Sequence, residues 1–187
     1  MYEYCCYGID WELDEETSFT GDLFQEMVDL LFDCSDTFSL NVSRWDTSTD
    51  QRLEKELEPY LVKKYDTYKW FGYDYTQAPC EEDRFLMRVY MYEANENTKN
   101  ILLRYIDDLF LNHVESEKLV DSTLTLEDLA FFQGEKMVLG TVSHEMIAKL
   151  CCKDKVFENL LERIGNWKYE AHDEIFTIAS FLTNNHK

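Results

Sequence analysis

Positive charge is scarce where the chain begins. Among residues 1–50 there are 13 acids and a single base, Arg44, and the whole chain of 187 residues sets 38 acids against 18 lysines and arginines for a net charge of −20. A surface of that sign repels phosphates, which excludes a direct nucleic-acid binder working by counterion release. Proline and glycine are also few, two and six, too few for a collagen-like, low-complexity or linker-rich polymer. No run of about 18 apolar residues exists to span a membrane. Met1–Asp10 lacks the basic start and continuous apolar stretch of a signal peptide, so the expectation is a cytoplasmic protein without a membrane partner. Neither a Gly-x-Gly-x-x-Gly nor a P-loop nor a Gly-x-Ser-x-Gly is present, and His113, His144, His172 and His186 form no ligand pattern. No cofactor and no metal are expected on these grounds.

What remains is 45% hydrophobic, enough for one domain over residues 1–187. The six cysteines include two adjacent pairs, Cys5-Cys6 and Cys151-Cys152, without the spacer of zinc and redox motifs; they read as reduced, structural thiols. Alternation predicts strands over Met1–Ile9, Thr37–Arg44, Arg84–Glu93 and Trp167–His172, and a hairpin of Leu129–Gln133 with Lys136–Ser143 around Gly134. In Thr37–Arg44, Phe38, Leu40 and Val42 point inward and Thr37, Ser39, Asn41 and Ser43 outward, the pattern of a half-buried strand. Helical spacing predicts Gly21–Cys34 capped by Thr20, Thr49–Tyr65 interrupted at Pro59, Asn97–Asn112, Glu145–Cys152, and Lys155–Ile164 capped by Asp154. An apolar segment, Ile175–Leu182, closes the chain. Strands and helices interspersed in this irregular order imply an α+β fold, an antiparallel sheet of about five strands with helices packed on it.

The charge is organised as well as abundant. Residues 1–50 carry −12 and the other 137 only −8, which uniform solubility would not require. Asp22, Glu26, Asp29 and Asp33 recur at i, i+4, i+7 and i+11, a stripe on one helix face with steps of roughly 4.5–6 Å. Upstream, Asp14, Glu15 and Glu16 extend the acidic segment to residues 10–33. Like charges so spaced repel, and no lysine is interleaved. The stripe is thus a candidate for docking on a basic groove.

A second candidate surface is the segment Tyr65–Tyr75, where Tyr68, Trp70, Phe71, Tyr73 and Tyr75 stand near Lys63, Lys64 and Lys69. Tyr and Trp are preferred anchors of protein interfaces. Tyr105-Ile106-Asp107-Asp108 resembles the Tyr-x-Asp-Asp turn of reverse transcriptases, but its surroundings fit a helix rather than strand-turn-strand, and the chain is too short for a palm and fingers. The stretch Leu126–Glu145, with Asp128-Leu129-Ala130-Phe131 and then Ser143-His144-Glu145, resembles small acidic bacterial and phage proteins that follow an Asp-Leu-x-Phe strand with a Ser-His-Glu. That resemblance implies the hairpin and a bacterial or phage origin, and no activity.

The function expected first is a non-enzymatic acidic inhibitor. It would imitate nucleic acid in the basic groove of a partner, such as a nuclease toxin or a CRISPR or restriction effector. The alternatives are a protein-protein adaptor using the aromatic segment, and a small enzyme using Cys151, His144 or His172.

Overall fold

The strands at the middle of the chain are apolar at consecutive positions because their sheet is covered on both faces. The computed structural model describes residues 4–9, 20–42, 50–77, 80, 84–110, 124–151, 155–164, 167–172 and 175–182. Along them run β1 (Tyr4–Ile9), α1 (Gly21–Cys34), β2 (Thr37–Val42), α2 (Arg52–Leu57), β3 (Leu61–Thr67), β4 (Lys69–Trp70), β5 (Tyr73–Asp74) and β6 (Met87–Glu93). These are followed by α3 (Glu96–Tyr105), β7 (Leu126–Gln133), β8 (Lys136–Val142), β9 (Ile147–Leu150), α4 (Lys155–Ile164), β10 (Trp167–His172) and α5 (Ile178–Phe181). Eight strands form one antiparallel sheet in the order β10-β1-β9-β8-β7-β2-β6-β3, and β4 and β5 make a separate hairpin. The fold is α+β, as the element order implies.

Alternate residues of each central strand enter different cores. Phe38 and Leu40 of β2, Tyr90 and Tyr92 of β6, and Leu129 and Phe131 of β7 meet the apolar sides of α1, α2, α3 and α4. Helix α1 contributes Phe24, Met27, Val28, Leu31 and Phe32, a stripe at helical spacing. Val89 and Met91 of β6 and Ala130 and Phe132 of β7 face the other way, where the β4–β5 hairpin and α5 bring Trp70, Phe71 and Phe181. The half-buried expectation for β2 is therefore corrected: Ser39 and Asn41, placed outward, are buried beneath this second layer.

Three elements depart from the sequence reading. The helix expected over Thr49–Tyr65 ends at Leu57; Glu58–Tyr60 tightens into a 3₁₀ turn around Pro59, and the chain continues as β3. Proline cannot continue an α-helix, and the residues beyond it pair with β6 instead. The helix expected at Glu145–Cys152 is replaced by β9, whose Ala148 and Leu150 point into the helical core while Lys149 does not. With β3 and β9 counted, the sheet exceeds the five strands expected. Thr20 does occupy the position before α1, in extended geometry, but its side chain makes no capping bond. By contrast α3 begins with a full capping box, the Asn95 side chain accepting from the Thr98 N–H and the Thr98 hydroxyl accepting from the Asn95 N–H. Helix α3 stops at Tyr105, short of the expected Asn112, with Ile106 extended. The proposed Asp154 cap lies outside the described residues. Among the described residues no helix is long and apolar enough to cross a membrane.

Candidate functional site

The acidic stripe of α1 lies on the face opposite its buried one, as helical periodicity requires. Its two middle members are tied to neighbouring helices. Both carboxylate oxygens of Glu26 accept from the Arg163 guanidinium of α4 at 2.8 Å, and the Asp29 carboxylate lies 3.0 Å from the Lys99 ammonium of α3, which also meets Glu96 at 2.9 Å. Sequence spacing within one helix carries no signal for such partners, which sit 137 and 70 residues away in the chain. The end members, Asp22 and Asp33, are exposed and make no ion pair among the described residues. The stripe is thus half neutralised and at the same time braced at its centre. Asp14, Glu15 and Glu16 lie outside the described residues.

The Arg163 hydrogen bonds hold the Glu26 carboxyl below its ordinary range, and the Glu26 contact raises Arg163 in turn. A depressed carboxylate stabilises the fold above its unfolded pKa, and that contribution fades as pH falls through the lower folded value. Thermal melts of wild type and Glu26→Gln are therefore expected to differ slightly at neutral pH and to converge in acid, the difference shrinking with added salt because the pair is exposed.

Within the aromatic segment, two of the large side chains are packed inside the fold. Trp70 is 2% exposed and Phe71 6%, both packed into the second core, with Trp70 against Phe181 and Phe132 at ring separations of 5.2 and 6.0 Å. Tyr73 and Tyr75 stack on each other and Tyr75 meets Phe85 edge-on; Tyr68 is half-buried. The two large anchors are used within the fold, because the sheet has a second face to cover.

A polar cluster that the sequence reading missed sits under the same hairpin. Asp128, 2% exposed, stands in the left-handed region at φ 57° inside β7, where the register with β2 shifts between Ser39 and Asn41. A bulge of this kind re-aims a side chain, and aspartate tolerates the conformation better than most residues. Its carboxylate accepts from the Tyr73 hydroxyl at 2.6 Å, the Asn41 amide at 3.1 Å and the Ser143 backbone N–H at 2.7 Å, while its own N–H donates to the Ser143 hydroxyl at 3.2 Å. Burial pushes the Tyr73 phenol far above its usual range, with the charges of Asp128 and Glu127 adding to the effect. Two adjacent acids inside an otherwise apolar strand were the available signal. The cluster's evident work is to pin the hairpin to the sheet.

The remaining candidates resolve simply. Cys151 is packed against the second core, and Ser143 is engaged by Asp128. Tyr105 closes α3 and hydrogen-bonds Glu56; the Asp108 carboxylate accepts from the Phe110 N–H at 2.6 Å, closing a local turn. Comparison with protein-family models, with curated proteins and with solved structures returned no match.

Proposed function

We propose that the protein is a non-enzymatic inhibitor that lays its acidic N-terminal quarter on the basic nucleic-acid groove of another protein, a nuclease or a CRISPR or restriction effector. The observation that carries this reading is the placement of charge, 13 acids against one base in residues 1–50, four of those acids standing on one face of α1. Asp22 and Asp33 stand eleven residues apart, about 16 Å along the helix axis. Between them, the Glu26–Arg163 and Asp29–Lys99 contacts fix α1 to α4 and α3, so the exposed carboxylates are presented on a braced element and little ordering is required on docking. Complementary charge of this kind chiefly accelerates encounter and sets register.

The end residues are the ones to change, because reversing Glu26 or Asp29 would also break contacts between helices. Asp22→Lys/Asp33→Lys is expected to leave the circular dichroism spectrum unchanged, to lower the association rate with the partner and to flatten its salt dependence. Partners are to be captured from lysate at low ionic strength, then eluted with salt or with duplex DNA. The reading is lost if the captured proteins are displaced by neither, or if the double variant retains them with the same salt profile.

A further inference from the structure

One edge of the sheet has the opposite character to α1. β3 ends the strand order and among the described residues pairs only with β6, so its outer side offers backbone N–H and C=O groups for another strand. Val62 is 54% exposed at a register shift between Leu61 and Lys63. Lys63 and Lys64 are exposed, their ammonium groups 4.7 and 4.3 Å from the ring centres of Tyr65 and Tyr90, and they make no ion pair among the described residues. Alternation sends the two lysines to opposite faces of the strand. Beside Lys64, between the α2 segment and the edge, opens a cleft of about 220 Å³ bounded by Lys55, Glu58, Leu61, Lys64, Tyr90 and Tyr92. Glu54 also lines its helix side, so that wall is acidic and the strand side basic.

We infer that β3 is a docking edge for an extended acidic segment of a partner protein, which joins the sheet through main-chain hydrogen bonds to Leu61–Thr67. Its acidic side chains lie on the face of Lys63, and on the other face an apolar side chain enters the cleft beside Lys64, over Tyr90 and Tyr92. The charge decides between occupants. Antiparallel pairing of two copies centred on the strand would put Lys64 opposite Lys64, and like charges directly opposite destabilise a strand pair. Edge lysines therefore keep a second copy away while attracting an acidic strand. This surface is separate from the α1 stripe, and neither depends on the other.

The probe is a short fluorescent peptide alternating Glu and Val, compared with the same peptide carrying Lys for Glu. Fluorescence anisotropy is expected to show binding of the Glu peptide alone, with amide hydrogen exchange slowed in residues 61–67. Lys63→Glu/Lys64→Glu is expected to weaken that binding by about tenfold or more, whereas Lys155→Glu on α4 leaves it unchanged. Equal binding of both peptides, protection confined to other strands, or undiminished affinity of the double variant overturns the inference. So does sedimentation of the protein alone as a dimer that the double substitution dissolves, which would make a second copy the occupant. Should the double variant not fold, the two-peptide comparison and the exchange map on the unmodified protein still decide.

Discussion

Replacing Asp128 by alanine is expected to destabilise the protein by about 3–5 kcal/mol, the range for breaking a buried charged network by removing one member. The substitution leaves the Tyr73 hydroxyl, the Asn41 amide and the Ser143 N–H without their shared acceptor, and each orphaned buried donor costs about 1–3 kcal/mol unless water reaches it. It also leaves a residue at φ 57° with no side-chain compensation, since alanine pays roughly 1–2 kcal/mol for the left-handed conformation. Asp128→Gly separates the two contributions, because glycine loses the same hydrogen bonds but removes the backbone penalty. It should therefore fall between wild type and alanine in urea denaturation. Tyr73→Phe removes one partner only, and about 1.5–3 kcal/mol is expected for a hydrogen bond to a charged group. If the network acts as a unit, the double variant Asp128→Ala/Tyr73→Phe loses less than the sum of the singles. Strict additivity, or a loss below about 1 kcal/mol for Asp128→Ala, would show that the cluster does not hold the hairpin.

The same region shows what was legible in the sequence and what was not. Elements that a single periodicity defines were readable: α1 with its apolar stripe, the β7–β8 hairpin around Gly134, and β10. Gly134 stands at φ 58° in that turn, where glycine is favoured. The misread elements share a property, namely that their local composition competes with their place in the fold. In β3, Lys63, Lys64 and Asp66 extend the charged run of α2, and only its pairing with β6 makes it a strand. β9 has four residues, too short to express a period. The second core escaped notice because Ser39, Asn41 and Thr141 look like a solvent face, although all are buried. Their burial depends on a hairpin and a short helix distant in sequence. The acidic stripe was legible as a pattern of side chains on a helix, while its pairing with Arg163 and Lys99 required the packing of α1 between α4 and α3.

The hairpin that covers this second core turns at Gly72, and Gly72→Ala is expected to cost about 3 kcal/mol from two sources that can be measured apart. Gly72 stands at φ 79°, a conformation that costs alanine roughly 1–2 kcal/mol. A Cβ there would also fall 2.1 Å from the Val142 Cγ2 methyl of β8, and forcing a group into a packed interior costs typically about 1–3 kcal/mol. Gly134→Ala isolates the first source, since its φ is 58° and nothing lies within 4 Å of the added methyl; its expected loss is therefore about 1–2 kcal/mol. Val142→Ala clears the obstructing methyl and is destabilising by itself through the cavity it leaves. Combined with Gly72→Ala it should lose less than the sum of the two, with a coupling of about 1 kcal/mol or more in a double-mutant cycle read by urea denaturation. Additive losses would mean that the turn moves away from β8 without resistance. Coupling of the expected sign means that the turn is held against the sheet, and the constraint then passes to its neighbours: Phe71 before it lies on Gly140, where a Cβ would meet the Phe71 ring at 2.8 Å, and Tyr73 after it reaches Asp128. A hairpin fixed at all three positions has little freedom to release Trp70 and Phe71 to a partner, so partner binding by the protein should be insensitive to Gly72→Ala so long as the fold survives.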